Sequence, residues 1–116
     1  MVTENMAATD NRHLLDLAEI NRQFRHLAAV KNWQAYHTPK NLVAAIAVEA
    51  AELLAEFQWL TAEESQQLSP QVKSQVGDEI ADVLMYLTEL CEQLNINMAE
   101  AVQSKIQKNM QRFHEE

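Results

Sequence analysis

A chain of 116 residues is long enough for one domain with a modest hydrophobic core and too short for two. The chain is 47% hydrophobic and has only one glycine and two prolines, a composition that excludes a turn-rich β fold and predicts an all-α fold. The net charge of −8 argues against binding nucleic acid through a basic face.

The cysteine content and the lengths of the apolar runs indicate the compartment in which the protein is expected. Cys91 is the only cysteine, which excludes an internal disulfide and favours a reduced compartment. No apolar run approaches the roughly 18 residues that a membrane span needs. We therefore expect a cytoplasmic protein that makes no contact with membranes.

The first predicted elements are an arm and a helix. Residues 1–9 are polar and predict a flexible N-terminal arm, and a single domain is predicted over residues 10–114. Apolar residues at helical spacing predict a first helix from Asp10 or Asn11 to Lys31.

A second helix carries the first of two acid pairs. Thr38 followed by Pro39 is typical of an N-cap with proline at the first helical position, and the helix is predicted to reach Trp59. Glu49 and Glu52 lie on one face of this most apolar stretch, because residues three apart point the same way. No Lys or Arg lies four residues from either acid to form a surface ion pair.

The next two predicted helices follow similar start signals. Residues 61–64 predict a capping box that opens a short helix. Ser69 and Pro70 repeat the N-cap signal and predict a long helix that ends near Leu94. Gly77 lies inside this helix, where we expect it to permit the close approach of another helix.

The last predicted helix starts after Asn97 and reaches Phe113. A polar, cationic row lies along it, formed by Lys105, Asn109 and Arg112. The predicted architecture is a bundle of three long helices plus one short helix per protomer. Since strongly apolar helix faces are left over, we expect oligomerisation to complete the bundle.

The long helix repeats the acid pair, with Glu79 and Asp82 on one face. If it packs antiparallel to the second helix, four carboxylates converge at the edge of the core, where they cannot all stay ionised unaided. A hard divalent cation would supply the missing charge, which predicts Mg²⁺ with Mn²⁺ as a possible substitute. An ordinary solvated acid face is the alternative interpretation.

The connector before the second helix offers groups for a ligand. Trp33, Tyr36 and His37 supply stacking surfaces, and Lys40 and Asn41 supply a cation and an amide. The alternative is that these aromatic side chains only cover the helix end. Local sequence leaves both interpretations open.

Four segments within residues 24–113 resemble a known family. They are His37-Thr-Pro-Lys-Asn-Leu42, Val48-Glu-Ala-Ala-Glu-Leu-Leu-Ala-Glu-Phe-Gln-Trp59, Gly77-Asp-Glu-Ile-Ala-Asp-Val-Leu-Met-Tyr-Leu87 and Lys105-x-x-x-Asn109-x-x-Arg112-Phe113. These segments are similar to the MazG-like all-α nucleoside triphosphate pyrophosphohydrolases, in particular to their small dCTP pyrophosphatase branch.

The resemblance implies metal-dependent hydrolysis of a nucleoside triphosphate to monophosphate and pyrophosphate. It implies Mg²⁺ ligands at Glu49, Glu52, Glu79 and Asp82. It also implies a base and sugar site formed by Trp33, His37, Trp59 and Tyr86, and a phosphate-facing row formed by Lys105, Asn109 and Arg112. The family assembles as dimers or dimers of dimers, which implies a homodimer or homotetramer with sites near the subunit interfaces.

The sequence therefore predicts an enzyme of the nucleotide pool. Its expected substrate is dCTP or a modified pyrimidine relative, and Glu49 or Glu52 is the candidate catalytic base. The alternative is a non-catalytic nucleotide-sensing or helical protein-interaction module. A di-iron carboxylate bundle is less favoured, because neither acid pair includes the histidine of a Glu-x-x-His motif.

Overall fold

The computed structural model describes residues 15–115 of the chain, with the backbone alone for residue 115. Among these residues there is no β-strand, and the predicted all-α fold is confirmed. The described residues form five α-helices, of which four are long, where the predicted bundle had three long helices. The helices are α1 (Leu17–Val30), α2 (Pro39–Ala55), α3 (Ala62–Ser65), α4 (Pro70–Gln93) and α5 (Met98–Glu115), and a 3-10 turn spans Gln34–Tyr36.

Local capping explains where most of these helices begin. The side chains of Thr38, Thr61, Ser69 and Asn97 each accept a hydrogen bond from the backbone N–H three residues ahead, at 3.0 to 3.3 Å. At α3 the box is reciprocal, because the Thr61 N–H donates to the Glu64 carboxylate at 2.9 Å. The predicted starts of α2 to α5 are confirmed.

The first helix begins at Leu17, later than the predicted start at Asp10 or Asn11, which lies outside the described residues, as does the predicted arm. Asp16 has an extended backbone, and its carboxylate accepts a hydrogen bond from the Glu19 N–H at 3.1 Å. An N-cap at Asp16 satisfies one of the free N–H groups of the helix start.

The second helix ends at Ala55 and does not reach the predicted Trp59. The N–H groups of Glu56 and Phe57 donate to carbonyls three residues back, at 3.2 and 2.9 Å, instead of four residues back. The chain therefore continues in tighter turns, and the Trp59 side chain is 86% exposed.

Helix α4 is the centre of the packing, because both α2 and α1 pack against it. The buried apolar side chains of the described residues are few, namely Phe24, Ala28 and Leu42. The radius of gyration is 17.5 Å, against about 13 Å for a compact domain of this length. Gly77 was expected to admit a close helix neighbour, but a Cβ there would meet no atom of residues 15–115 within 4 Å, so the described chain has no such neighbour.

Helix α5 takes part in this packing only marginally. Its apolar face is exposed at Val102, Ile106, Met110 and Phe113. None of the described helices has both the length and the apolar character needed to cross a membrane.

Leu42 is the largest fully buried side chain among the described residues, at 0% exposure. We expect Leu42→Ala to lower the free energy of unfolding by about 3 kcal/mol, since the truncation leaves a cavity between packed helices. Urea denaturation followed by circular dichroism measures this loss. Leu15→Ala, at a leucine that is 60% exposed, is the matched control and should cost less than about 0.5 kcal/mol. Equal losses in the two variants would contradict the assignment of Leu42 to the core.

Candidate metal centre and aromatic cluster

The packing of α2 against α4 brings together acids from both predicted pairs. Glu49, Glu79 and Asp82 each place one carboxylate oxygen within 4.8 Å of the others, and we call these three residues the acid cluster. All three side chains are half-buried, whereas Glu52 is exposed. Glu52 nevertheless lies close enough for its charge to act on Glu49 and Glu79.

Two oxygens of the acid cluster lack partners. Glu49 Oε2 and Glu79 Oε2 are buried and accept no hydrogen bond within the described part of the chain. A buried carboxylate oxygen without a partner destabilises the fold, because its hydrogen bonds to water are lost and no protein hydrogen bond replaces them. Carboxylate oxygens without imidazole or thiolate suit a hard cation such as Mg²⁺ or Mn²⁺, so the donor set fits the predicted metal.

The pKa values of all three carboxyl groups in the acid cluster are raised. Burial, followed by the charges of Glu52 and Asp82, raises the pKa of Glu49 to about 7. Burial and then the charge of Glu52 raise the pKa of Glu79, and burial and then the charge of Asp78 raise the pKa of Asp82. Near pH 7 Glu49 is therefore partly protonated, and a divalent cation bound there would displace that proton.

A second cluster consists of four aromatic rings from α1, the connector and α4. The His37 ring stacks on Phe24 with centroids 5.6 Å apart and an interplanar angle of 7°. Tyr86 meets Phe24 and His37 edge-on at 5.2 and 6.0 Å, and Trp33 lies 6.3 Å from His37. Three of the predicted base-binding residues, Trp33, His37 and Tyr86, are thus brought together, and we call the four rings the aromatic cluster.

Tyr86 joins the two clusters. It follows Asp82 by one turn of α4, and its ring belongs to the aromatic cluster. Burial, followed by the negative charges of Glu49 and Asp82, raises the pKa of the Tyr86 hydroxyl. The aromatic surfaces and the candidate metal centre therefore adjoin.

Lys40, Asn41 and Trp59, which were also predicted to bind substrate, belong to neither cluster. The Asn41 side-chain amide donates to the Tyr36 carbonyl at 2.9 Å, so it holds the connector against the start of α2. Lys40 and Trp59 are exposed.

The predicted phosphate-facing residues lie on α5. Lys105, Asn109 and Arg112 are all exposed, and their helix packs only marginally against the rest of the described chain. Within one subunit the structure does not bring them into the two clusters.

Two residues at the aromatic cluster, Phe24 and Gln93, were not predicted from the sequence. Phe24 is the stacking partner of His37, and Gln93 donates a hydrogen bond to the His37 carbonyl. Gln93 also donates to the buried Glu89. Only the i,i+4 spacing of Glu89 and Gln93 was visible in the sequence, and that spacing is equally common on a solvated helix face.

Comparisons with known proteins identify the family of the chain. The model of the MazG-like family matches residues 44–116. The chain is 34% identical over 99 residues to dCTP pyrophosphatase 1 of Mus musculus, and 35% identical over 99 residues to dCTP pyrophosphatase 1 of Homo sapiens. Each alignment covers 84% of this chain and 58% of the relative, so the chain spans less than two thirds of the length of these curated relatives.

A solved structure is also similar. The crystal structure of a pyrophosphatase from Archaeoglobus fulgidus superposes with a TM-score of 0.77 at 41% sequence identity. The match covers 84% of this chain and 91% of the archaeal one. The helical fold, the match over residues 44–116 and the identity to these relatives lead to one conclusion: the chain belongs to the MazG-like family.

Proposed function

We propose that this chain is a nucleoside triphosphate pyrophosphohydrolase that converts dCTP, or a modified pyrimidine relative, to the monophosphate and pyrophosphate. The observation that carries the proposal is the place of Tyr86, which belongs to the aromatic cluster and lies one turn of α4 beyond Asp82, so that a surface for a base lies beside a centre for a metal and phosphates. The names of the similar dCTP pyrophosphatases support it. The proposed role is to remove this nucleotide from the cytoplasmic pool.

The acids of α2 and α4 would hold the metal. Glu49, Glu79 and Asp82 already converge, and Glu52 is the fourth proposed ligand, reaching in from the rim. Bound Mg²⁺, or Mn²⁺ in its place, would neutralise charge on the phosphate under attack and orient its oxygens. The partnerless oxygens of Glu49 and Glu79 support this assignment.

One carboxylate would act as the base. Glu49 or Glu52 accepts a proton from water as the water oxygen bonds to the α-phosphorus. The bond from the α-phosphorus to the oxygen that bridges to the β-phosphorus breaks, and pyrophosphate leaves. Glu49 lies inside the acid cluster and Glu52 is exposed beside it, so both remain candidates for this role.

The aromatic cluster would receive the base and sugar. Trp33, His37 and Tyr86 supply ring faces and edges there, and Trp59 is proposed to cover the base from the turn after α2. Lys40 and Asn41 flank the connector and offer polar groups to the nucleotide. Selection among bases then depends on shape and on hydrogen bonds to the base edge.

The assembly that we propose is a homodimer or a homotetramer built as a dimer of dimers. The exposed apolar face of α5 and the small core support it, because such faces are normally covered by another chain. In this assembly Lys105, Asn109 and Arg112 face the phosphates bound by a second subunit. Their exposure on a helix with little packing of its own agrees with that role.

A panel of ribo- and deoxynucleoside triphosphates, with and without Mg²⁺, tests the reaction. We expect equal amounts of monophosphate and pyrophosphate from dCTP or a closely related pyrimidine, and no turnover without a divalent cation. Following the two products separately distinguishes this cleavage from stepwise loss of phosphate. Nucleotide binding without any product, by folded protein in Mg²⁺, would overturn the proposal in favour of a nucleotide-sensing module.

A further inference from the structure

A buried carboxylate on α4 lies outside the proposed chemistry. The Glu89 side chain is only 7% exposed, and each of its two oxygens accepts hydrogen bonds. Glu89 Oε1 accepts from the Asn21 amide at 3.0 Å and from Arg25 Nε at 2.7 Å. Glu89 Oε2 accepts from a terminal Arg25 nitrogen at 3.1 Å and from the Gln93 amide at 2.9 Å. The buried charge is therefore compensated by α1 on one side and by Gln93 on the other.

Gln93 extends this network to the connector. Its amide nitrogen carries two hydrogens; it donates to Glu89 and also to the backbone carbonyl of His37. Burial alone would raise the pKa of Glu89, but the hydrogen bonds from Arg25, Gln93 and Asn21 outweigh it and hold the pKa below its usual value. The carboxylate thus stays ionised and keeps the Gln93 amide oriented toward the connector.

The connector faces both α1 and α4 at this point. A cavity of about 220 Å³ lies beside it, lined by Phe24, Gln34, His37 and Gln93 among others. Among the described residues, the hydrogen bond from Gln93 is the one that joins the His37 backbone to α4.

We propose that Glu89 and Gln93 are positioning residues, which set the place of His37 and with it the substrate-facing aromatic cluster. The proposal rests on the proposed function in one respect, namely that this cluster receives the nucleotide. Glu89 and Gln93 touch no substrate in this arrangement. They act through the His37 backbone and through its stacked ring.

The test uses Gln93→Ala, Glu89→Gln and a control, Gln71→Ala, at an exposed glutamine in the first turn of the same helix. Glu89→Gln keeps the size of the side chain but turns one acceptor oxygen into a donor, which then faces another donor of the network. The first readout is the ¹H and ¹³C chemical shift of the His37 imidazole without nucleotide, assigned by its loss in His37→Gln. Rings within about 7 Å shift such signals when they are held in place.

We expect the His37 signals of Gln93→Ala and Glu89→Gln to move toward those of free histidine, while Gln71→Ala leaves them unchanged. With substrate, KM should rise roughly tenfold at nearly constant kcat in both variants, the equivalent of one lost hydrogen bond of about 1.4 kcal/mol. A kcat that falls at constant KM would contradict the positioning role.

The outcomes separate this proposal from the proposed function. If wild-type protein turns over no nucleotide, the proposed function fails, and the His37 signals still decide whether the network positions the ring. Wild-type His37 signals in both variants would overturn the positioning role. A lower melting temperature with unchanged His37 signals and unchanged KM would do the same, because it would show that the network only stabilises the fold.

Discussion

Glu49→Gln and Asp82→Asn should each reduce turnover by roughly 10³-fold or more, since losing a ligand removes several kcal/mol of charge stabilisation at the phosphate. Both acids belong to the cluster whose oxygens lie within 4.8 Å of one another. Steady-state kinetics with separate product detection measures the loss. Far-ultraviolet circular dichroism should show unchanged helix content, because neither change removes a helix cap or a core side chain.

The amide variants should also reveal the electrostatic cost of the site. Without metal at pH 8, we expect Glu49→Gln to be more stable than wild type by on the order of 1 to 2 kcal/mol, since one pKa unit is worth about 1.4 kcal/mol and solvent weakens repulsion between partly exposed groups. Glu63→Gln, at an exposed acid of α3, is the charge-matched control. Wild-type turnover in both Glu49→Gln and Asp82→Asn would rule out the carboxylate centre.

Mg²⁺ binding is expected to weaken steeply below pH 7. The pKa of Glu49 is raised to about 7 by burial and by neighbouring carboxylates, so below that pH the ion must displace a proton. For one proton displaced, the affinity should fall about tenfold per pH unit. Isothermal titration calorimetry at pH 5.5, 6.5, 7.5 and 8.5 measures the slope, and buffers of different ionisation enthalpy count the protons released.

The free energy of unfolding of the metal-free protein should change with pH in the opposite direction, decreasing as the pH rises. The folded-state pKa of Glu49 lies above its ordinary value of 4.5, so its contribution is fully present below pH 4.5 and is lost as the pH rises through about 7. Adding Mg²⁺ at 100 times its dissociation constant at pH 8 should restore about 2.7 kcal/mol. A pH-independent Mg²⁺ affinity between pH 5.5 and 8.5 would contradict the displacement of a proton from Glu49.

Features that depend on a few neighbouring residues were predictable from the sequence. The helix starts at Thr38, Thr61 and Ser69 follow from caps that reach only three residues ahead. The convergence of Glu49 with Glu79 and Asp82 follows from i,i+3 spacing on two apolar helices that pack together. The fold class therefore follows from local signals, and the acid cluster follows from them once α2 and α4 pack together.

Features that depend on distant contacts were not predictable in this way. The apolar pattern of α2 continues through Phe57 without a glycine or proline stop signal, so the tighter turns after Ala55 left no trace in the sequence. The partnership of Glu89 with α1 joins residues more than sixty positions apart, and nothing in a single sequence pairs them. The exposed row on α5 has no partner within the described chain.

Helix α4 carries, in order, Glu79 and Asp82 of the acid cluster, Tyr86 of the aromatic cluster, and the Glu89 and Gln93 network behind it. At about 1.5 Å per residue, these groups span about 21 Å of one continuous rod. A single inserted residue would turn everything beyond it by about 100° and separate the parts. The spacing of residues along α4 therefore fixes the relative positions of these groups. Insertions and deletions that preserve the site during evolution should fall outside residues 79–93.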